Sequence, residues 1–174
     1  MARKGWFSAG GLRLFKVREV ADILVPAIEC LVVKYAPLLM SAPIHHMTVI
    51  RYFRDGRPWE CDKILAPAWS DVEGAIRRMD NYCFPIVELN TTENDESPDL
   101  FCICGGDQRW ALFQIMGDWQ YEELGGGEGE VQLWESDQGY YCREKNILTD
   151  VEKVLRITKA FYDTGSYDGL DAVS

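Results

Sequence analysis

Carboxylate side chains are the residues of this chain best suited to chemistry, because they are numerous and concentrated in one segment. Fourteen of the 28 acidic residues lie between Met79 and Cys142. Of the 18 lysines and arginines in the chain, this segment contains one, Arg109. The net charge of the whole chain is −10. Like charges at this density repel one another, and a cationic surface that met them would relieve the repulsion. The pattern therefore predicts either a role in solubility or a positively charged partner.

Two clusters of these acids fall in predicted loops and form the candidate binding site. The first acidic loop contributes Glu93, Asp95, Glu96 and Asp99. The second acidic loop surrounds a run of glycines and contributes Glu122, Glu123, Glu128 and Glu130, with Asp118 and Trp119 just before it. We expect Trp119 to be an apolar anchor, since an indole packs on an arginine whose charge the neighbouring carboxylates can pair. An acidic surface repels nucleic acid and anionic membranes, so the predicted partner is a basic protein.

Metal, redox and nucleophilic chemistry are poorly supported. The six cysteines form no Cys-x-x-Cys pair, and Cys102 and Cys104 have no second pair of ligands nearby, so buried free thiols are expected rather than a metal site or disulfides. Free thiols indicate a reducing compartment, hence the cytoplasm. A nucleophilic triad would have to recruit His45 or His46, the only histidines. No catalytic residue, metal or cofactor is predicted.

The glycine run at residues 125–129 is the one stretch that could suggest a phosphate-binding loop. It contains no lysine, carries an acid, and precedes a predicted strand rather than a helix. We therefore expect a flexible loop that binds no phosphate.

Apolar patterning predicts short strands bracketed by two helices. Strand patterns cover residues 48–53, 86–89, 100–104, 110–116, 119–123, 130–134 and 140–143, with a turn at 105–107. Ser70 with Glu73 and Thr149 with Glu152 are typical of capping boxes, and Gly165 is expected to end the second helix. Without βαβ alternation, the class is α+β, with a largely antiparallel sheet of five to six strands and two main helices.

Residues 1–46 are predicted to be an extension, partly helical, to a single domain that spans residues 47–174. The apolar run between residues 20 and 40 keeps a helical period, but two prolines and charged residues, among them Glu29 and Lys34, interrupt it. An amphipathic helix is favoured over a secretion signal or a membrane anchor, and both of these remain open.

The order of elements from residue 47 to about residue 169 resembles the first-numbered immunity-protein family of bacterial polymorphic toxin systems. The stretches that carry the resemblance are APAWSDVEGAI at 66–76, VEL at 87–89, the double-glycine strand at 100–106, and residues 154–165 with FYDTG at their end. Two features depart from the family. Residues 1–46 have no counterpart, and SYDGL follows Gly165 where a proline and a tryptophan are usual.

The resemblance implies a small cytoplasmic protein, not an enzyme, that binds a bacterial toxin and blocks it. Toxins in these systems are often deaminases or nucleases, which are basic around their active sites. The expected function is therefore immunity, in which an acidic surface occludes the active site of a cognate toxin.

Two alternatives stay open. One is an acidic adaptor or regulatory module, which the position of its gene relative to a toxin gene would distinguish from an immunity protein. The other is a small hydrolase that uses two converging carboxylates. A pocket holding two acids with raised pKa values would favour the hydrolase.

Overall fold

The computed structural model describes residues 43–94, 100–133 and 139–173. The predicted N-terminal helix and Cys30 lie outside the described residues, as do the candidate site residues Asp95, Glu96 and Asp99, and Trp134. The domain boundary expected at residue 47 stays a prediction. Packing begins slightly before it, since Ile44 is only 1% exposed and belongs to the main core.

Five antiparallel strands form the main sheet, in the order β2-β1-β3-β4-β5. They are β1 (His46–Arg51), β2 (Glu60–Leu65), β3 (Ile86–Asn90), β4 (Phe101–Gly106) and β5 (Arg109–Gln114). Two further strands, β6 (Glu130–Leu133) and β7 (Tyr140–Arg143), pair with each other in a second sheet. The helices are α1 (Trp69–Arg78) and α2 (Val151–Thr164). The predicted α+β class with an antiparallel sheet and two main helices is confirmed.

The main core lies between one face of the five-stranded sheet and the two helices. Alternate strand residues point toward it, as the two-residue period of a strand requires, among them Val49, Val87 and Ile103. The helices contribute Ile76 and Phe161, both 0% exposed. Among the described helices, none has the length and apolarity needed to cross a membrane.

The opposite face of β4 and β5 packs against the two-stranded sheet. Cys102 and Cys104 of β4 lie in this second cluster together with Leu133 of β6 and Cys142 of β7. These three thiols are buried and free, as expected. Cys61 is also free but exposed on β2, contrary to the expectation of burial.

Both predicted helix starts are displaced from their actual positions. The residue before the first turn of α1 is Ala68, whose N–H donates to the Asp71 carboxylate at 2.9 Å, so the capping box expected at Ser70 is wrong. In α2 the cap is Asp150, which accepts from the N–H of Glu152 at 2.9 Å. Gly165 ends α2 with φ of 64°, as predicted.

The turn between β4 and β5 lies one residue further along than predicted. Asp107 and Gln108 have φ of 51° and 67°, the left-handed pair typical of a two-residue hairpin turn. Gly105 and Gly106 remain within β4, and Gly106 has φ of 135°. The backbone of Asp80 approaches Gly106 too closely for any side chain to be present there.

Candidate protein-binding site

Glu93 is the described member of the first acidic loop, and it is exposed just beyond the end of β3. Asn90 holds this turn in place. Its Oδ1 accepts from the N–H of Thr92 at 2.8 Å and its Nδ2 donates to the carbonyl of Asn94 at 2.8 Å. Glu93 therefore projects from an ordered turn at the end of a central strand.

The second acidic loop begins beside the edge strand β5. The N–H of Tyr121 donates to the carbonyl of Leu112 at 3.0 Å, and the N–H of Glu123 donates to the carbonyl of Lys145 at 2.6 Å. Strand β4 separates β3 from β5, so the two acidic loops belong to elements about 10 Å apart across the sheet. The structure thus places Glu93 and the second cluster at different parts of the fold.

The acids of the second loop are partly neutralised by basic residues that follow it in sequence. Lys145 Nζ lies 3.1 Å from Glu122 and 3.3 Å from Glu128. Arg143 lies 2.8 Å from Glu128, and Lys153 lies 2.8 Å from Glu123. The single basic residue within the acidic segment, Arg109, therefore underestimates the counter-charge that these acids meet in the folded chain. Folding supplies these charges from residues 143–153.

Two candidate acids keep their charge unpaired. Asp118 and Glu130 are both exposed, and within the described part of the chain neither forms an ion pair. The site therefore retains negative charge that an external cation could meet.

The ion pairs favour the ionised forms of two carboxyl groups of the second acidic loop. The hydrogen bond from Lys153 lowers the pKa of Glu123, and the hydrogen bond from Lys145 lowers the pKa of Glu128. The pKa values of these carboxyl groups are lower in the folded chain than in the unfolded chain. The ion pairs therefore stabilise the fold at pH values above the ordinary carboxyl pKa, and this stabilisation is lost as the pH falls through the lowered pKa values. The contribution is small, since these carboxylates are exposed.

A polar groove of about 550 Å³ lies between the second acidic loop and β7. We call it the acidic groove, and its lining is Gln120, Glu122, Glu128, Glu130, Tyr141, Cys142, Arg143 and Asn146. Asn146 is 3% exposed and supports the base of the groove. Its Nδ2 donates to the carbonyl of Tyr121 at 3.0 Å, and its Oδ1 accepts from the N–H of Arg143 at 3.2 Å.

The glycine run beside the groove is held in place rather than loose, which differs from our expectation. The N–H of Lys145 donates to the carbonyl of Gly127 at 2.9 Å, and the N–H of Glu144 donates to the carbonyl of Gly129 at 2.8 Å. A side chain at Gly126 would collide with the backbone of Lys145. The glycines therefore let the loop pack closely against the segment that follows β7.

Trp119 does not stand exposed as the predicted anchor. Its ring stacks on Phe101 with centroids 5.6 Å apart and lies 5.3 Å from Tyr167. Its Nε1 is buried without a hydrogen-bond partner within the described chain. The ring packs against the main core, because the chain reverses after β5 and turns Trp119 inward.

Two exposed apolar side chains in this part of the chain were not singled out from the sequence. Tyr141 is 58% exposed and lines the acidic groove, and Leu124 is 100% exposed, two residues beyond the lining residue Glu122. The sequence signal for Leu124 was a single large apolar residue among acids and glycines in a loop. Tyr141 gave no signal, since it alternates normally within a strand.

The pKa values of the buried thiols and of several carboxyl groups are displaced from their usual values. Burial raises the pKa of Cys102 well above its usual value, that of Cys104 to about 12 and that of Cys142 to about 11, so these thiols stay protonated and unreactive. The pKa values of Asp55, Glu123, Glu128 and Glu152 are lowered, in each case mainly by hydrogen bonds. A hydrolase that uses one carboxyl group as an acid would need a raised value.

Metal binding has no better support. No cluster of three or more His, Cys, Asp and Glu side chains suited to a metal is found in residues 43–94, 100–133 and 139–173. His45 and His46 contact each other, with their Nδ1 atoms 3.2 Å apart.

Comparison of the chain with protein-family models, with curated proteins and with solved structures gave no match. The candidate site therefore rests on geometry and composition alone.

Proposed function

We propose that this chain is a cytoplasmic immunity protein that binds and neutralises a cognate bacterial toxin through the acidic groove. The supporting observations are a groove lined by three glutamates and the fully exposed Leu124, which follows the lining residue Glu122 by two positions in the sequence. Protein interfaces commonly combine an apolar anchor with a charged surround that excludes water and fixes orientation. Tyr141 adds an aromatic side chain of the kind enriched at such interfaces. The partner that fits is a basic domain, such as a toxin that acts on nucleic acid.

The internal ion pairs give the groove its binding geometry. Lys145 contacts both Glu122 and Glu128 and so holds the two carboxylates at fixed positions before any partner arrives. Preorganised groups lose less entropy on binding. Glu130 has no such pair and supplies the charge that attracts a lysine or arginine of the toxin. Association should be fast at low salt and slower at high salt, because screening shortens the range of the attraction.

Neutralising the groove should weaken toxin binding. The variant Glu122→Gln, Glu128→Gln, Glu130→Gln removes three negative charges without changing side-chain size. We expect its Kd for the product of the adjacent upstream gene, measured by calorimetry after co-purification, to rise at least about tenfold, or about 1.4 kcal/mol.

A matched control shows whether weaker binding comes from the loss of charge in the groove or from the change in net charge. The variant Asp163→Asn, Asp168→Asn, Asp171→Asn changes the net charge equally at and beyond the end of α2. We expect its Kd to stay within about threefold of the wild type, because screened charges away from an interface contribute little. Equal losses of affinity in the two variants would contradict the proposed site. If the upstream product does not bind the wild-type chain, and the chain captures a protein of its own cell instead, the adaptor alternative replaces immunity.

A further inference from the structure

The outer face of the two-stranded sheet carries an exposed aromatic ring near an exposed carboxylate. The β6–β7 ladder pairs Glu130 with Arg143 and Gln132 with Tyr141. Residues opposite each other in a ladder point to the same face of the sheet. The residues that alternate with these four pack into the second cluster beside β4 and β5. The four side chains therefore point away from that cluster, and all of them are exposed.

Glu130 and Tyr141 are diagonal neighbours in this ladder. The N–H of Glu144 donates to the carbonyl of Gly129 at 2.8 Å, so the next pair along, Glu130 with Arg143, is a non-hydrogen-bonded pair, in which side chains lie closest. Diagonal neighbours are about 7–8 Å apart, which long side chains can bridge. A carboxylate and a ring at this spacing leave room for a flat cation between them.

Both side chains are available to a partner. Tyr141 is 58% exposed. Within the residues that the structure describes, neither Tyr141 nor Glu130 takes part in a side-chain hydrogen bond, an ion pair or a ring contact. A ligand that met both would therefore displace no contact of the described chain.

The basic residues beside this site are directed at other glutamates. Arg143 lies 2.8 Å from Glu128, and Lys145 lies 3.1 Å from Glu122 and 3.3 Å from Glu128. Two bases therefore balance two of the three glutamates that line the acidic groove, and Glu130 carries the remaining charge. Arg143 stands opposite Glu130 in the ladder, but its guanidinium pairs with Glu128, in the direction away from the exposed ring.

We propose that Glu130 and Tyr141 together receive one arginine side chain of the toxin, an inference that rests on the proposed function. A planar guanidinium can stack on an aromatic face while its edge donates two hydrogen bonds to a carboxylate. One unbalanced negative charge and one exposed ring suit a single cation. Tyrosine and arginine are also the residue types that most often dominate the energy of protein interfaces.

A lysine is a poorer occupant of this site. Its ammonium group is compact and strongly hydrated, and it cannot lie flat on a ring while donating a fork of hydrogen bonds to a carboxylate. The guanidinium of arginine is planar and more weakly hydrated, so it loses less on leaving water. Exchange of arginine for lysine in the toxin therefore keeps the charge but loses the geometry.

The test begins with substitutions in the full-length chain, whose Kd for the product of the adjacent upstream gene is measured by calorimetry. Tyr141→Leu keeps an apolar side chain but removes the ring, and we expect the Kd to rise at least about tenfold. Tyr141→Phe keeps the ring and should leave the Kd within about threefold of the wild type. Trp59→Leu is the matched control, since Trp59 is also 58% exposed but precedes β2, and it should stay within about threefold.

A double-mutant cycle then identifies the arginine. Each arginine of the upstream product is replaced by lysine in turn. One replacement should raise the Kd at least about tenfold against the wild-type chain but less than about twofold against Tyr141→Leu, because residues in contact have non-additive effects. If Tyr141→Leu does not fold, as judged by circular dichroism, Glu130→Gln takes its place in the cycle.

Three results would overturn this inference while the proposed function stands. They are equal losses of affinity for Tyr141→Leu and Tyr141→Phe, the absence of any arginine whose replacement weakens binding, and losses that simply add in the double variants. In each case the triple glutamine variant of the acidic groove would still bind the upstream product more weakly. If the wild-type chain does not bind that product, the proposed function and this inference both fall.

Discussion

Replacement of Phe101 by alanine is expected to lower the free energy of unfolding by about 3–5 kcal/mol. Phe101 is 0% exposed and its ring stacks on that of Phe161 with centroids 4.5 Å apart. It also contacts Trp119 and lies 6.1 Å from Tyr167. The ring therefore joins β4, α2 and the segments that follow β5 and α2, and its removal leaves a cavity that these rigid elements cannot fill. Urea denaturation followed by tryptophan fluorescence measures the change.

Phe53→Ala serves as the matched control, since it deletes the same atoms from a half-buried ring in the β1–β2 loop. Phe53 is covered mainly by Arg57, whose guanidinium lies 4.1 Å from its ring centroid. We expect a loss of about 1 kcal/mol or less. If Phe101→Ala cost no more than Phe53→Ala, the aromatic cluster would not be the centre of the main core.

Gly106→Ala is expected to destabilise the fold by about 3 kcal/mol. The φ of 135° at Gly106 is strained for any residue with a side chain. An added Cβ would also lie 2.5 to 2.8 Å from backbone atoms of Asp80 and Asn81, which cannot move without displacing the segment between α1 and β3. Strain and overpacking therefore act together. The midpoint of thermal unfolding should fall accordingly.

The opposite effect is expected at Gly74, which lies within α1. An added Cβ there meets nothing within 4 Å, and the backbone is helical. Gly74→Ala should stabilise the chain by about 0.5–1 kcal/mol, because alanine loses less backbone entropy than glycine in a helix. Unfolding midpoints that shift in the same direction for both substitutions would contradict this account of Gly106.

Much of the fold was predictable from local pattern. β3, β7 and the apolar face of α2 follow directly from residue types and spacing. β2 was missed because its six residues are all exposed and include three charged side chains, so no apolar alternation marks it. It is a strand because β1 pairs with it, which is a property of the tertiary fold. The start of α1 was misplaced because Asp71, rather than Glu73, reaches back to the cap, while Glu73 pairs with Arg77 at 2.9 Å.

The candidate site was predictable in composition but not in arrangement. The acids of the second loop were identified from charge alone. Their pairing with Arg143, Lys145 and Lys153 depends on long-range packing that no local pattern contains. For the same reason Trp119, the predicted anchor, packs against the main core, while Leu124, for which no role was predicted, is exposed. Burial of the large indole ring of Trp119 is favourable, and the reversal of the chain after β5 makes that burial possible.

The two edges of the sheet differ in how they are covered. Beside β5, Gln120 forms a bridge with Phe113 and Leu148 forms one with Trp110, so that edge is partly occupied. Beside β2 no described segment does the same. An unpaired edge invites pairing with another chain. The two edges therefore differ in how many of their backbone groups are paired within the described chain.

Hydrogen exchange of the chain with and without the proposed toxin partner tests the central claim most directly. If the acidic groove is the toxin-binding surface, amides in residues 121–130 and in β7 should exchange more slowly in the complex, while those of β2 should be unchanged. Unchanged exchange throughout the groove, with protection confined to other surfaces, would contradict the proposed function.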